Sequence, residues 1–146
     1  MALLSRREHS RRELARKLAS HEDAETFMER VLDELVREGW LSDERYAQSL
    51  VHRRSRTHGA ARIVSELRLG GVDDAAVAEI RDSLRSSEYE RAKDVWQRRF
   101  GGAAPADRQV FAKQARFLAA RGFGNDVIYR ILGEAPEAPE APEACD

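Results

Sequence analysis

The chain has 146 residues, with 25 Lys plus Arg against 26 Asp plus Glu, so 35% of it is charged and the formal net charge is −1. No apolar run approaches the roughly 18 residues of a membrane span, and the start, Met1 to Arg7, lacks the apolar stretch of a secretory signal, so neither membrane insertion nor export is expected. The single cysteine, Cys145, has nothing within the chain to bridge, which makes a reducing cytoplasm the expected compartment.

Up to residue 132, apolar residues recur at steps of three and four and never alternate with period two, so helices alone are expected. Leu14, Ala15 and Leu18 share one face, and Phe27, Met28, Val31, Leu32 and Leu35 share the next. Tyr46, Ala47, Leu50 and Val51 follow, then Ile63 with Leu67, and Val77 with Ile80 and Leu84. Val110, Phe111, Gln114, Phe117 and Leu118 precede a last group of Ile128, Ile131 and Leu132. The spacing predicts eight or nine short helices joined by tight turns. Ser42 and Asp43, Gly70-Gly71 with Asp73 and Asp74, and Gly122 with Gly124-Asn125 supply the expected caps.

The turns expose a repeat. Leu67, Gly71, Val72, Val77 and Ile80 match Leu118, Gly122, Phe123, Ile128 and Ile131 at identical offsets, and Leu18, Met28 and Val31 fit the same frame with Glu22 in place of the glycine. The three leucines lie 49 and 51 residues apart. Three tandem three-helix units are therefore expected at 1–41, 42–86 and 87–133, stacked into an elongated curved array in which neighbours share a core. Residues 134–146 repeat Glu-Ala-Pro, carry a net charge of −5 and hold no large apolar side chain, and are expected to be a disordered acidic tail.

Charge alternates along the chain: residues 1–20 carry +4, 21–45 carry −6, 46–70 carry +4, 71–90 carry −4 and 91–132 carry +6. Basic surfaces of successive units are expected to join on one side of a stack. Catalytic patterns are missing. The four histidines form no His-Glu-x-x-His pair, no second cysteine exists, and no glycine-rich phosphate loop occurs. Glu29 and Asp33 read as a solvated acidic face, with Asp33 one turn from Arg37, rather than as an acid-base pair. Neither catalysis, nor a metal, nor a cofactor is expected.

Arginine, which favours planar bidentate contact with carboxylate or phosphate, dominates the basic residues. Arg53, Arg54, Arg62, Arg68, Lys93, Arg98, Arg99, Arg116 and Arg121 are the candidates for partner binding. Arg54 falls where the apolar stripe should continue after Leu50, so it either snorkels past the core edge or has a partner. Trp40 is expected to plug a joint between units, and Trp96 to be core, although a base-stacking role beside cations is conceivable for it.

Gly39-Trp40-Leu41-Ser42-Asp43-Glu44-Arg45-Tyr46-Ala47 resembles a signature of the RecX regulators. Gly59 to Val72 is similar to that family's second-repeat segment, and Phe117-Leu118, Arg121-Gly122-Phe123 and Val127-Ile128 to Leu132 resemble its C-terminal motif. The likeness covers about residues 6–132 in family order and makes Gly39, Trp40, Leu41, Tyr46, Leu67, Gly71, Leu118 and Gly122 structural. Ser42, where an acid is common, and Gly70, where Lys or a polar residue is usual, depart from the pattern at turns. The resemblance implies an all-α cytoplasmic monomer that binds the RecA recombinase filament, with single-stranded DNA inside it, and inhibits ATP hydrolysis, filament growth and strand exchange, thereby regulating DNA repair, recombination and the SOS response. The residues leave an alternative open: a direct nucleic-acid binder, since tandem three-helix units look like homeodomain modules.

Overall fold

The structure is a computed structural model that describes residue 4, residues 6–19 and residues 25–137. Among these residues every regular element is helical: α1 Arg11–Ala19, α2 Glu25–Arg37, α3 Asp43–Arg54, α4 Ala60–Leu69, α5 Asp74–Phe100, α6 Arg108–Ala120 and α7 Asn125–Leu132. Glu22, in the first copy of the repeat frame, and Cys145 lie outside the described residues.

Polar caps set most of the helix starts. Ser42 accepts the Arg45 N–H, Asp73 accepts that of Ala75, and Asp107 accepts that of Val110, each satisfying a donor with no partner in the first turn. The repeat frame is a C-terminal capping motif. After α4 the Val72 N–H returns to the Leu67 carbonyl at 3.1 Å, and after α6 the Phe123 N–H returns to Leu118 at 3.2 Å. Both motifs need a left-handed residue, supplied by Gly71 at φ 80° and Gly122 at φ 90°.

The short-helix expectation fails in one place. α5 is a single helix of 27 residues that runs unbroken across position 86, where one unit was expected to end. Neither glycine nor proline occurs between Asp74 and Phe100, and the serine pair Ser86 and Ser87 stays helical, its hydroxyls donating back to the carbonyls of Ser83 and Leu84. The first part of α5 packs into one core through Val77 and Leu84, and the later part into another through Ala92, Val95 and Trp96.

The expected shared core is also corrected, because the buried residues form three separate clusters. One centres on Leu14, Leu32 and Leu41, the second on Leu50, Ile63, Leu67 and Val77, and the third on Trp96, Phe111, Leu118 and Ile128. The units instead meet through polar bonds. Between the second and third units, Gly59 and Ala61 donate their N–H groups to the carbonyls of Arg121 and Gly122 at 2.7 and 3.3 Å, and Ala60 donates to the buried Glu88 carboxylate at 2.9 Å. The first donors of α4 are thus satisfied by other elements. A Cβ on Gly59 would lie 2.2 Å from the Gly122 oxygen, so only glycine permits this approach. Arg91 adds bonds to the carbonyls of Ser55 and His58, and its burial pulls its guanidinium pKa below the ordinary value, partly offset by Glu88. Between the first and second units the bonds run through side chains: Arg11 N–H to Asp43 Oδ1 at 2.8 Å, Arg45 Nε to Glu8 Oε1 at 3.2 Å, and Arg16 Nη2 to the Leu69 carbonyl at 3.3 Å.

Candidate functional site

A groove of about 980 Å³ opens where all three units meet. Its walls carry six arginines: Arg12 and Arg16 from α1, Arg68 from α4, Arg81 and Arg85 from α5, and Arg130 from α7. Two acids line it as well, Glu88 and Asp126, so its formal balance is six minus two, or +4. Glu88 is already engaged by the Ala60 N–H. None of the six arginines makes an ion pair with a described residue.

The helical period puts them there. Arg12 with Arg16, and Arg81 with Arg85, are separated by four residues, which places both members of each pair on one helix face. Arg16 is aimed by its bond to the Leu69 carbonyl, and Arg130 by stacking 4.2 Å above the Tyr89 ring. Arg12 lies against Gly71, where a Cβ would come within 2.8 Å of its Nε. Like charges facing one cleft raise its positive potential, and a concave wall focuses the field. Guanidinium forks that no described carboxylate engages retain their bidentate donors for phosphates or carboxylates from outside.

Of the nine basic residues singled out in the sequence, the structure brings one, Arg68, into this groove. Arg54 has the partner its position called for: its Nε lies 3.2 Å from Glu66, which Arg62 also approaches at 3.7 Å. Arg98 pairs with Asp94 at 2.7 Å. Arg121 stacks 5.1 Å from the Phe117 ring and reaches the Thr57 carbonyl at 3.5 Å. Arg99 lies over Phe100 and Phe117, and Lys93 sits 5.9 Å from Tyr89. Arg53 and Arg116 are exposed and belong to no ion pair among the described residues. Asp33, expected to face Arg37, instead pairs with Arg11 across α1 and α2.

Leu41, Tyr46, Leu67 and Leu118 are buried, and Gly39, like Gly71 and Gly122, is left-handed. Tyr46 packs against Gly70 so closely that a Cβ there would lie 2.7 Å from the ring, which accounts for glycine at that departure from the family pattern. Burial, and then the Glu13 carboxylate from the first unit, raise the Tyr46 phenol pKa above its ordinary value. Trp40 is a correction: it is 54% exposed and plugs no joint. Its N–H closes the cap on Leu35, and the following residue, Leu41, takes the core position at 1% exposure. Trp96 is buried, with its indole N–H donating to Gln114 at 2.8 Å, which excludes base stacking from that position.

Three family models match in order: the first three-helix domain of RecX over residues 1–35, the second over 42–79 and the third over 86–132. The chain belongs to the RecX family. A regulatory protein RecX from Ralstonia nicotianae is 49% identical over 132 residues, spanning 90% of this chain and 82% of that one. One from Leptothrix cholodnii is 48% identical over 129 residues, spanning 88% and 82%. Among solved structures, RecX from Lactobacillus salivarius superposes with a TM-score of 0.68 at 25% identity, over 90% of this chain and 88% of that one. A second RecX crystal structure gives 0.71 at 25% identity, over 91% and 69%. RecX relatives are named as regulatory proteins. No helix among the described residues is long and apolar enough to cross a membrane, and no cluster of three metal-ligating side chains occurs among them.

Proposed function

We propose that this RecX chain binds the RecA filament as a monomer in the cytoplasm and restrains ATP hydrolysis, filament growth and strand exchange, with the arginine groove as its docking surface. The observation that carries the reading is the convergence of Arg12, Arg16, Arg68, Arg81, Arg85 and Arg130 from three units on one cleft, with no ion pair to a described residue. Such a cleft suits acidic protein surface and phosphate alike, and contacts spread over three units add by avidity. A regulator of this kind needs no reacting residue, because binding alone shifts the filament equilibrium. Arg53 and Arg116, exposed outside the groove, are proposed as peripheral contacts.

RecA ATP hydrolysis on single-stranded DNA, measured with substoichiometric protein, tests this. The wild-type chain should inhibit well below a one-to-one ratio, and the double reversal of Arg81→Glu and Arg85→Glu should raise the half-inhibitory concentration at least about tenfold while leaving helicity unchanged. An unchanged rate with wild-type protein overturns the proposal.

The same six guanidinium groups favour a second reading, direct nucleic-acid binding. On that reading, affinity for bare single strands falls with salt at a log-log slope of about −4, from −0.7 per phosphate contact. Preference for RecA-coated over naked DNA at about 0.15 M salt supports the filament reading, and equal affinity supports the other.

A further inference from the structure

We infer that the arginine groove takes an amphipathic acidic helix of a protein partner, with Leu69 as the contact that tells such a helix from a nucleic-acid strand. The inference rests on the groove being the docking surface proposed above.

The groove is not basic throughout. Its buried lining residues include Ala60 and Val64 from the second unit and Val127 from the third, whereas Arg12, Arg16, Arg68, Arg85 and Arg130 are exposed around them. An apolar floor thus lies beneath a cationic rim. On α4, Ala61, Ser65 and Leu69 follow at steps of four and extend the uncharged strip along one helix face for about 12 Å, at about 1.5 Å per residue. Leu69 is the far end of that strip. It is 64% exposed and belongs to none of the three cores, so most of its side chain is left for a partner to cover. Its place is fixed by the Arg16 bond to its carbonyl and by Gly70, which caps the helix directly after it.

A nucleic-acid strand uses the rim alone. Its bases need an aromatic face to stack on, and Tyr89, the one aromatic among the described lining residues, has Arg130 4.2 Å above its ring and the Lys93 ammonium 5.9 Å from its centroid. A helix with one acidic and one apolar side meets both parts of the groove. Apolar residues at three- and four-residue steps cover the α4 strip and Leu69, and the formal balance of +4 selects acids for the flanks. Carboxylates one turn apart, about 6 Å, repeat at the step that separates Arg12 from Arg16 and Arg81 from Arg85, so successive guanidinium forks can each hold one.

Fluorescence anisotropy of the full chain at about 0.15 M salt tests this. The probes are a Leu-Glu peptide of about 18 residues, long enough to be helical alone, with its leucines on one face; a shuffled isomer with the leucines spread around the helix; and an oligothymidine of about the same length. The amphipathic peptide should bind at least about tenfold tighter than its isomer and tighter than the oligothymidine. Leu69→Gln, at an exposed position, should leave the melting temperature unchanged, weaken the amphipathic peptide about tenfold and leave the oligothymidine within about twofold. The double reversal of Arg81→Glu and Arg85→Glu should weaken all three probes. Equal affinity for the two isomers, indifference of the amphipathic peptide to Leu69→Gln, or tighter binding of the oligothymidine overturns the inference. The anisotropy contains no RecA: a chain that holds the amphipathic peptide yet leaves RecA ATP hydrolysis untouched sinks the docking proposal alone, and one that inhibits RecA while binding both isomers equally sinks this inference alone.

Discussion

The two joints of the molecule are made of different bonds. Between the second and third units, main-chain N–H groups of Gly59 and Ala61 meet main-chain carbonyls of Arg121 and Gly122, and α5 belongs to both units. Between the first and second, the Asp43 carboxylate, the Arg45 side chain and the Arg16 guanidinium span the gap. A main-chain bond places no rotatable side-chain torsion between the bodies it joins, whereas each side-chain link inserts several. The contrast teaches that the second and third units are joined by main-chain bonds and a shared helix, whereas the first is held to the second through side chains.

The sharpest way to break this comparison is a pair of glycine substitutions. Gly122→Ala puts a methyl 2.5 Å from the Arg62 Cβ and 2.6 Å from its main-chain nitrogen, in addition to the left-handed strain, whereas Gly39→Ala carries the same strain in open space. Urea unfolding should report a loss of at least about 3 kcal/mol for Gly122→Ala and about 1 to 2 kcal/mol for Gly39→Ala. Equal losses would mean that the main-chain joint contributes little.

A smaller effect is expected at the other joint. Asp43→Ala removes the acceptor of the Arg11 N–H and should cost about 1 kcal/mol. Hydrogen exchange should quicken in α1 and α2 and stay unchanged in α6 and α7; uniform acceleration would show the units to be cooperative throughout.

The smallest effect is a pH dependence. Burial, then the charges of Arg121 and Arg54, hold the His58 pKa below its usual 6.5. Its contribution to stability is therefore complete above about pH 6.5 and declines as pH falls through the lowered value, because the unfolded chain takes up the proton more readily. His9, buried in the first unit, has the same sign. The melting temperature should drop between pH 7.5 and pH 5.5, and His58→Gln should narrow the drop; a gap as wide as in wild type would remove His58 as its source.

What could be read in the sequence was local. The matched offsets of Leu67, Gly71 and Val72 with Leu118, Gly122 and Phe123 are visible because a capping turn fixes the spacing of its own residues. Trp40 has the same cap position but not the same fate, since whether it or Leu41 fills the core depends on how the chain enters α3. The groove escaped for a different reason. Net charge by segment averages opposite helix faces, so Arg81 and Arg85 vanished into a stretch of −4, although their spacing of four residues carried the signal. Conversely, Arg62 and Arg98 stood out by sign alone and proved to be paired with Glu66 and Asp94, while Arg54, marked by its place after Leu50, shares Glu66.

α5 acts as a beam. At about 1.5 Å per residue its 27 residues extend for about 40 Å, from the cap at Asp73 to the turn at Gly101. Arg81 and Arg85 stand on the same rod as Trp96, so one helix both lines the cleft and fills the core of the last unit. One wall of the cleft is thus anchored in two cores, while the wall carrying Arg12 and Arg16 reaches the second unit through side-chain bonds.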